Sequence, residues 1–384
     1  MLTQQSPASA TAAPQAGALD PEHKVQIATV TLAGTASIVG ALLGSLGLVW
    51  VLFERLLPFS GVLGFLVCWY VVFLLLYAAI ALMQWDKREV THRVTQVIFA
   101  TTGALAITVV LGQVLFTLLK GFPAIRHPNF WTQSMAFAGP LSSLGSGGVF
   151  HAMVGTLEQI SLATMFSVPL AVTAALFLAE VGGSFARVVR VIVEAMTALP
   201  DVIAGLFVYA LFLLTLGFQR SGLAAAIALS VTMMPVIARG SEVMLRLVPG
   251  TLREASYALG SSQWRTAWNV ILPTARSGLT TAVVLGMARG IGETAPVLVV
   301  AGITKEMNWN PFAGPQINLP LFIFNYDNIE AVNANYVARG FGAGFALVLV
   351  VLVLFTIARR IGGVAPGELT RRQRRRLARQ GARS

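Results

Sequence analysis

Residues 245–278 read LRLVPGTLREASYALGSSQWRTAWNVILPTARSG, and this stretch decides how the chain around it folds. On either side lie apolar runs, Leu223–Ala238 and Gly278–Ile303, with too little charge to face water. The stretch itself carries Arg246, Arg253, Glu254, Arg265 and Arg276, and its pattern is helical and amphipathic. Pro249 and Gly250 break the chain. Thr251 is placed to cap a helix whose first turn holds Glu254, where a carboxylate suits the positive helix end. Arg253–Leu259 carries the helical pattern, and Gly260 stops it because glycine readily takes the left-handed geometry of a helix C-terminus. A second helix is predicted over Ser262–Ile271, with Trp264, Ala267, Trp268 and Ile271 on one face and Leu272-Pro273 as its end. Two short helices meeting at a glycine make a compact knob between two membrane segments.

The whole chain supports a membrane setting. Of 384 residues, 56% are hydrophobic and only 11% are charged; the mean hydropathy is +0.74. Soluble domains normally carry about 25% charged residues, so lipid must cover much of this surface. Cys68 is the single cysteine, which excludes an internal disulfide. His23, His92, His127 and His151 are scattered without metal-ligand spacing, and no catalytic constellation or metal site is expected. The net charge of +11 is concentrated in the tail RRQRRRLAR and in short links. That distribution reads as membrane topology and attraction to anionic lipid, and without interleaved aromatics it points away from nucleic acid.

About 20 apolar residues span a bilayer. By that measure about eight spans are predicted: Ala28–Phe53, Phe59–Trp85, Val94–Leu119, Ala152–Ala179, Val202–Phe218, Leu223–Ala238, Gly278–Ile303 and Phe341–Ala358. Phe185–Leu199, with Arg187, Arg190 and Glu194 close to one face, reads as a short interfacial helix. Residues 1–27 read as a disordered cytoplasmic arm, 28–93 as two added spans, 94–361 as a core with the knob at 253–273, and 362–384 as a basic cytoplasmic tail. With the N-terminus inside, the inside links hold Lys87, Arg88, Arg93, Arg187, Arg190, Arg239, Arg246, Arg253, Arg265, Arg276 and the tail. Outside links hold Arg55, Lys120, Arg126, Arg220, Lys305 and Arg339. The bias places both termini in the cytoplasm of a multi-pass plasma (inner) membrane protein. Two long outside loops, Lys120–His151 and Thr304–Gly340, read as a partner-docking surface or a lid.

Only Arg289 and Glu293 interrupt the run Gly278–Ile303. Arg289 lies roughly 16 Å along a helix from Gly278, near the middle of a hydrocarbon core about 30 Å thick. A charge there costs about 2.5–3.5 kcal/mol or more, and such residues face a cavity or a partner. Glu293 falls one turn on, on the same face, and pairs with Arg289 when nothing else is bound. A guanidinium cannot lose its proton, and its fork matches a tetrahedral oxyanion. A neighbouring carboxylate weakens the grip and can accept a bond from a protonated phosphate oxygen. Gly286 and Gly290 form a small-xxx-small pair that lets another helix approach. Pro296 is placed to kink the helix past the charges, and Asp201 to cap the fifth span. A structural ion pair pinning two helices is the other reading of these charges.

Two resemblances sharpen this. Glu254-Ala255-Ser256, then Gly260, Val270 and Leu272-Pro273, resembles the EAA loop of ABC importer permeases, with Ser256 and Val270 departing from the usual alanine and isoleucine. ARGIGETAPVLVVAG, together with VGTLEQISLATMFSVPLAVTAALFLAE, PVIARGSEVMLRLVP and NPFAGPQINLPLFIFN, resembles phosphate ABC transporter permeases of the PstA type over roughly residues 155–361. The resemblance implies an all-α, polytopic, type I ABC importer permease-like bundle with a six-span core. It implies a substrate pathway through Arg289, Glu293 and Arg239, and an ATPase-coupling site of Glu254, Ala255, Gly260, Leu272 and Pro273. Arg239 reads equally as a positive-inside anchor. The implied partners are a homologous permease, a cytoplasmic ATPase dimer and an extracytoplasmic phosphate-binding protein. No GxxxxGK[ST] loop occurs in the chain, so ATP is expected on the partner ATPase and no cofactor on this chain. A permease for sulfate or molybdate, and an ATPase-independent transporter or channel, are the alternatives.

Overall fold

The computed structural model describes residues 32–56, 61–139, 141–326 and 333–362. The expected arm (1–27) and the basic tail beyond residue 362 lie outside them. Among the described residues all regular structure is helical. Seven helices are long and apolar enough to cross a membrane, and eight crossings result if one bent pair is counted as a span.

The chain divides into two units, residues 1–109 and 110–384. The first holds α1 (Leu32–Val51), α2 (Val62–Gln84) and the start of α3 (Lys87–Ile125). Ala41, Phe73 and Tyr77 form its small core, against Val94 and Val97 of α3. Part-buried polar contacts add direction: the Tyr70 and Thr101 hydroxyls lie 2.6 Å apart, and Ser37 donates to Gln84 at 3.2 Å. Lys87, Arg88 and Arg93, expected in a link, are on the first turns of α3, where Arg93 pairs with Glu89 at 2.7 Å.

The second unit takes the rest of α3, the short α4 (Pro128–Thr132), α5 (Phe150–Leu176) with a π turn at Phe177–Val181, and α6 (Gly183–Ala198). Then come α7 (Asp201–Val208) with a π turn at Tyr209–Thr215, and α8 (Gly222–Arg246). The α8 helix is central. Two-thirds (67%) of its apolar window is buried inside the structure, against 33% or less for the other candidate spans. Its Ala224, Ala225, Ala226 and Ala228 are buried, and side chains this small let α5 and α11 (Leu272–Ile291) lie close on both sides. In lipid, where apolar burial drives little association, such close packing holds helices together. Ser221 starts α8 by accepting from the Ala224 N–H at 3.3 Å.

Several expectations change. The fifth span, expected over 202–218, is the second arm of a bent pair: α6 and the α7 segment (Asp201–Thr215) meet at a bend of 105°. Fifteen residues rise only about 22 Å, short of the hydrocarbon core. The predicted helix end at Leu272-Pro273 is absent. Instead Gln263–Ile291 is one helix of 29 residues, running from α10 (Gln263–Thr266) through a π turn (Ala267–Ile271) into α11. Pro273 has no N–H, and its ring crowds the carbonyl four residues back, that of Asn269; the wider π turn takes up the collision. The break near the charges comes before Pro296: α11 ends at Ile291, and Pro296 sits in the first turn of α12 (Ala295–Val300).

Part of the long loop after α12 packs into the second unit. Gln316 to Phe322, including the start of α13 (Leu319–Phe324), is buried. Gln159 donates to the Gln316 carbonyl at 2.9 Å, Asn318 donates to Gln159 at 3.0 Å, and the Leu319 N–H donates to Thr156 at 2.8 Å. Gln316 also donates to Glu158. Arg339, expected in an outside link, lies inside α14 (Ala334–Gly362), because that helix starts earlier than its apolar run. Its side chain is fully buried and donates to the Ser143 and Ser146 carbonyls at 2.7 and 2.8 Å. The Gly- and Ser-rich segment before α5 thus wraps a guanidinium.

Candidate functional site

The α11 helix carries Arg289 in its last turn, where the carbonyl end of the helix favours a cation. Its guanidinium is held from another segment: Nη2 donates to Asp201 Oδ1 at 2.7 Å and to Oδ2 at 2.8 Å. Glu293 Oε1 stands 3.7 Å from the same nitrogen. The sequence-based pairing with Glu293 is therefore a charge contact beyond hydrogen-bond range, and Asp201 is the main partner. Asp201 does not cap α7; Pro200 occupies that position, with no side-chain cap. Glu293 is off the helix, in the short break between α11 and α12, so the one-turn spacing expected on a continuous helix does not hold.

Both partners stand at helix breaks, Asp201 just after the α6–α7 bend and Glu293 between α11 and α12. Interrupted helices at membrane depth are tolerated where protein or a water-filled cavity covers the exposed backbone. The Arg289 side chain remains 44% accessible. It borders a cleft with Asp201, Thr197 and Thr232. Its Nη1 and Nε donate to no group among the described residues.

Close glycine contacts fix this geometry. A Cβ on Gly286 would lie 2.3 Å from Ile237, and one on Gly290 would lie 2.5 Å from Met233, so the pair does admit a helix, namely α8. A Cβ on Gly205 would meet the Pro296 backbone at 2.6 Å, which clamps α7 to α12 beside the charges. Gly205→Ala is therefore expected to lower the melting temperature of the purified protein. Gly103→Ala, with nothing within 4 Å, should leave it unchanged or raise it, since alanine favours a helix by about 1 kcal/mol.

The knob is built as two helices, α9 (Gly250–Ala258) and α10, with Gly260 between them at φ +80°, the left-handed turn expected. Thr251 does not cap α9; Pro249 precedes the helix and Thr251 lies within it. Ser256, the departure from the usual alanine, has a role: its hydroxyl meets that of Thr266 at 2.8 Å in a buried contact that joins the two helices. Glu254, Ala255 and Gly260 are exposed. Of the face expected from the sequence, Trp264 and Trp268 stack edge to face and are 67% and 52% exposed, while Ala267 and Ile271 are buried.

Sequence reading missed what ties the knob to the helices. Arg253 donates to Glu180 at the end of α5 through Nη2 at 2.9 Å, and to the Leu245 and Val248 carbonyls at the end of α8 at 2.8 and 2.6 Å. Glu180 is a lone acid closing an apolar run, the signal by which it could have been found. Arg239 stands apart from Arg289. It is exposed on α8, beside Arg190, Glu194 and Glu242, and pairs with no carboxylate among the described residues. Glu242 takes Arg190 at 2.9 Å and Arg246 at 2.6 Å.

Comparison with known proteins covers the same elements. Residues 167–364 match the family model described as binding-protein-dependent transport system inner membrane component. The chain belongs to this family. The match runs from the last third of α5 to the end of α14 and so includes both helix breaks, the knob and the long α10–α11 helix. Among relatives, the phosphate transport system permease protein PstA 1 of Mycobacterium tuberculosis is 38% identical over 75% of this chain and 91% of its own length. The PstA protein of Mycobacterium leprae is 37% identical over 70% of this chain and 86% of its own. That of Haemophilus influenzae is 36% identical over 63% and 84%. As a member, the chain is a multi-pass inner-membrane transport subunit.

Proposed function

We propose that this chain is the permease subunit of an ATP-driven phosphate importer and forms half of the translocation pathway. The observation that carries the reading is Arg289: a guanidinium whose Nη1 and Nε have no acceptor among the described residues, at paired helix breaks, in a chain 38% identical to a phosphate permease. A tetrahedral oxyanion suits such donors, because charge-assisted bonds to a planar fork are directional as well as strong. Arg239, exposed on the same central helix that Gly286 and Gly290 contact, offers a second cation along the route. Glu293 tempers the charge near Arg289.

The assembly needs a homologous permease for the other half of the route, two cytoplasmic ATPases and an extracytoplasmic phosphate-binding protein. Both termini lie in the cytoplasm, a reading supported by the excess of Lys and Arg in the links on that side. The α9–α10 knob then faces the ATPase. Because α10 runs unbroken into α11, a push on the knob reaches Arg289 along one rigid helix. Uptake of radiolabelled phosphate by the reconstituted transporter tests the substrate. Excess unlabelled phosphate should compete, and equal sulfate or molybdate should not. Competition by sulfate or molybdate at phosphate-like concentrations would replace phosphate with that anion, and uptake without ATP would remove the ATPase from the account.

A further inference from the structure

Two carboxylates flank one guanidinium, so an arriving anion meets a cation already in use. The two carboxylates differ in kind. Glu293 belongs to the same stretch of chain as Arg289, four residues on, and stands 3.7 Å away. Asp201 is 88 residues away in sequence and holds Nη2 with both oxygens at 2.7 and 2.8 Å. It starts α7, beyond the 105° bend, whereas Arg289 ends α11. A relative movement of α7 and α11 can therefore part Arg289 from Asp201.

We propose that Asp201 is the resident competitor for Arg289: it occupies the guanidinium in the empty pathway, and the transported anion binds by displacing it. This rests on the reading of Arg289 as the phosphate site and adds a residue that sets how tightly the anion is held. The exchange proceeds in steps. The anion first takes Nη1 and Nε, which donate to no group among the described residues, and then Nη2 as Asp201 withdraws. The cation is never left bare in an apolar setting, where an unpaired charge is costly. Return of Asp201 expels the anion, so release needs no loss of the positive charge. Displacing a bond between charged groups weakens anion binding by roughly tenfold relative to a site without the competitor.

The test is equilibrium dialysis of radiolabelled inorganic phosphate against the purified transporter complex without its phosphate-binding protein. Asp201→Asn should bind phosphate roughly tenfold more tightly than the native complex, and Asp201→Ser should do the same if the amide impairs assembly. Asp201→Glu should stay within about threefold of native. Arg289→Gln should bind none. Unchanged or weaker binding in both Asn and Ser variants, with Arg289→Gln still binding none, would overturn the competitor role while leaving the phosphate site intact. Native-like binding in Arg289→Gln would instead remove the phosphate site itself. A structural role for Asp201 predicts less assembled complex at unchanged affinity, which the dialysis separates from the proposal.

Discussion

Replacing Arg289 by glutamine is expected to cut phosphate uptake by reconstituted transporter at least about a hundredfold, while ATP hydrolysis continues. Glutamine keeps a donor of similar reach but has no charge. Each lost bond to a charged group is worth about 1.5–3 kcal/mol, and an oxyanion on the fork loses more than one. The variant also leaves Asp201 and Glu293 near one another without the cation between them, so assembly must be checked by co-purification. Arg289→Lys provides the second arm. It keeps the positive charge but presents a point charge in place of the fork, and uptake should fall between native and glutamine. Uptake within about threefold of native in an assembled glutamine variant would mean that the anion passes elsewhere.

The second large effect is expected at Arg253. Its side chain joins the knob to the ends of α5 and α8 at once, through Glu180 and the carbonyls of Leu245 and Val248. Glu180 is only 6% exposed, so Arg253→Ala leaves a buried carboxylate without its partner. Breaking such a pair costs about 3–5 kcal/mol, a shift of several degrees in melting temperature. The double variant Arg253→Ala with Glu180→Gln should recover part of that loss, because the stranded charge is gone. Function should separate from stability: phosphate moved per ATP hydrolysed is expected to fall in both variants, since a push on the knob no longer reaches α5. A native ratio in the double variant would assign Arg253 to stability alone.

Features with a local signature were legible in the sequence. Arg289 stood out because an apolar run rarely admits a guanidinium, and Gly260 because a helix pattern stopped there. Gly286 and Gly290 announced a helix contact, although not that Ile237 and Met233 would fill it. What escaped notice depended on pairs distant in the chain. Asp201 looked like a cap because a proline precedes it, yet it reaches across 88 residues to Arg289. Arg253 and Glu180 are 73 residues apart, and neither predicts the other. Helix ends misled in a different way. Proline usually closes a helix, but the π turn at Ala267–Ile271 lets the chain pass through Pro273. Arg339 looked like a loop cation because it precedes the apolar run Phe341–Ala358, yet its helix begins at Ala334 and backbone carbonyls, rather than a carboxylate, accept from it.

The most direct measurement is the position of a bound tetrahedral anion in the assembled transporter. Arsenate has the shape and charge of phosphate and scatters anomalously, so its site can be located without ambiguity in crystals of the complex. The account predicts an arsenic peak within hydrogen-bonding distance of the Arg289 guanidinium, with Asp201 moved off Nη2. A peak elsewhere along the route while Arg289 stays locked to Asp201, or Arg289 turned toward lipid, would contradict it.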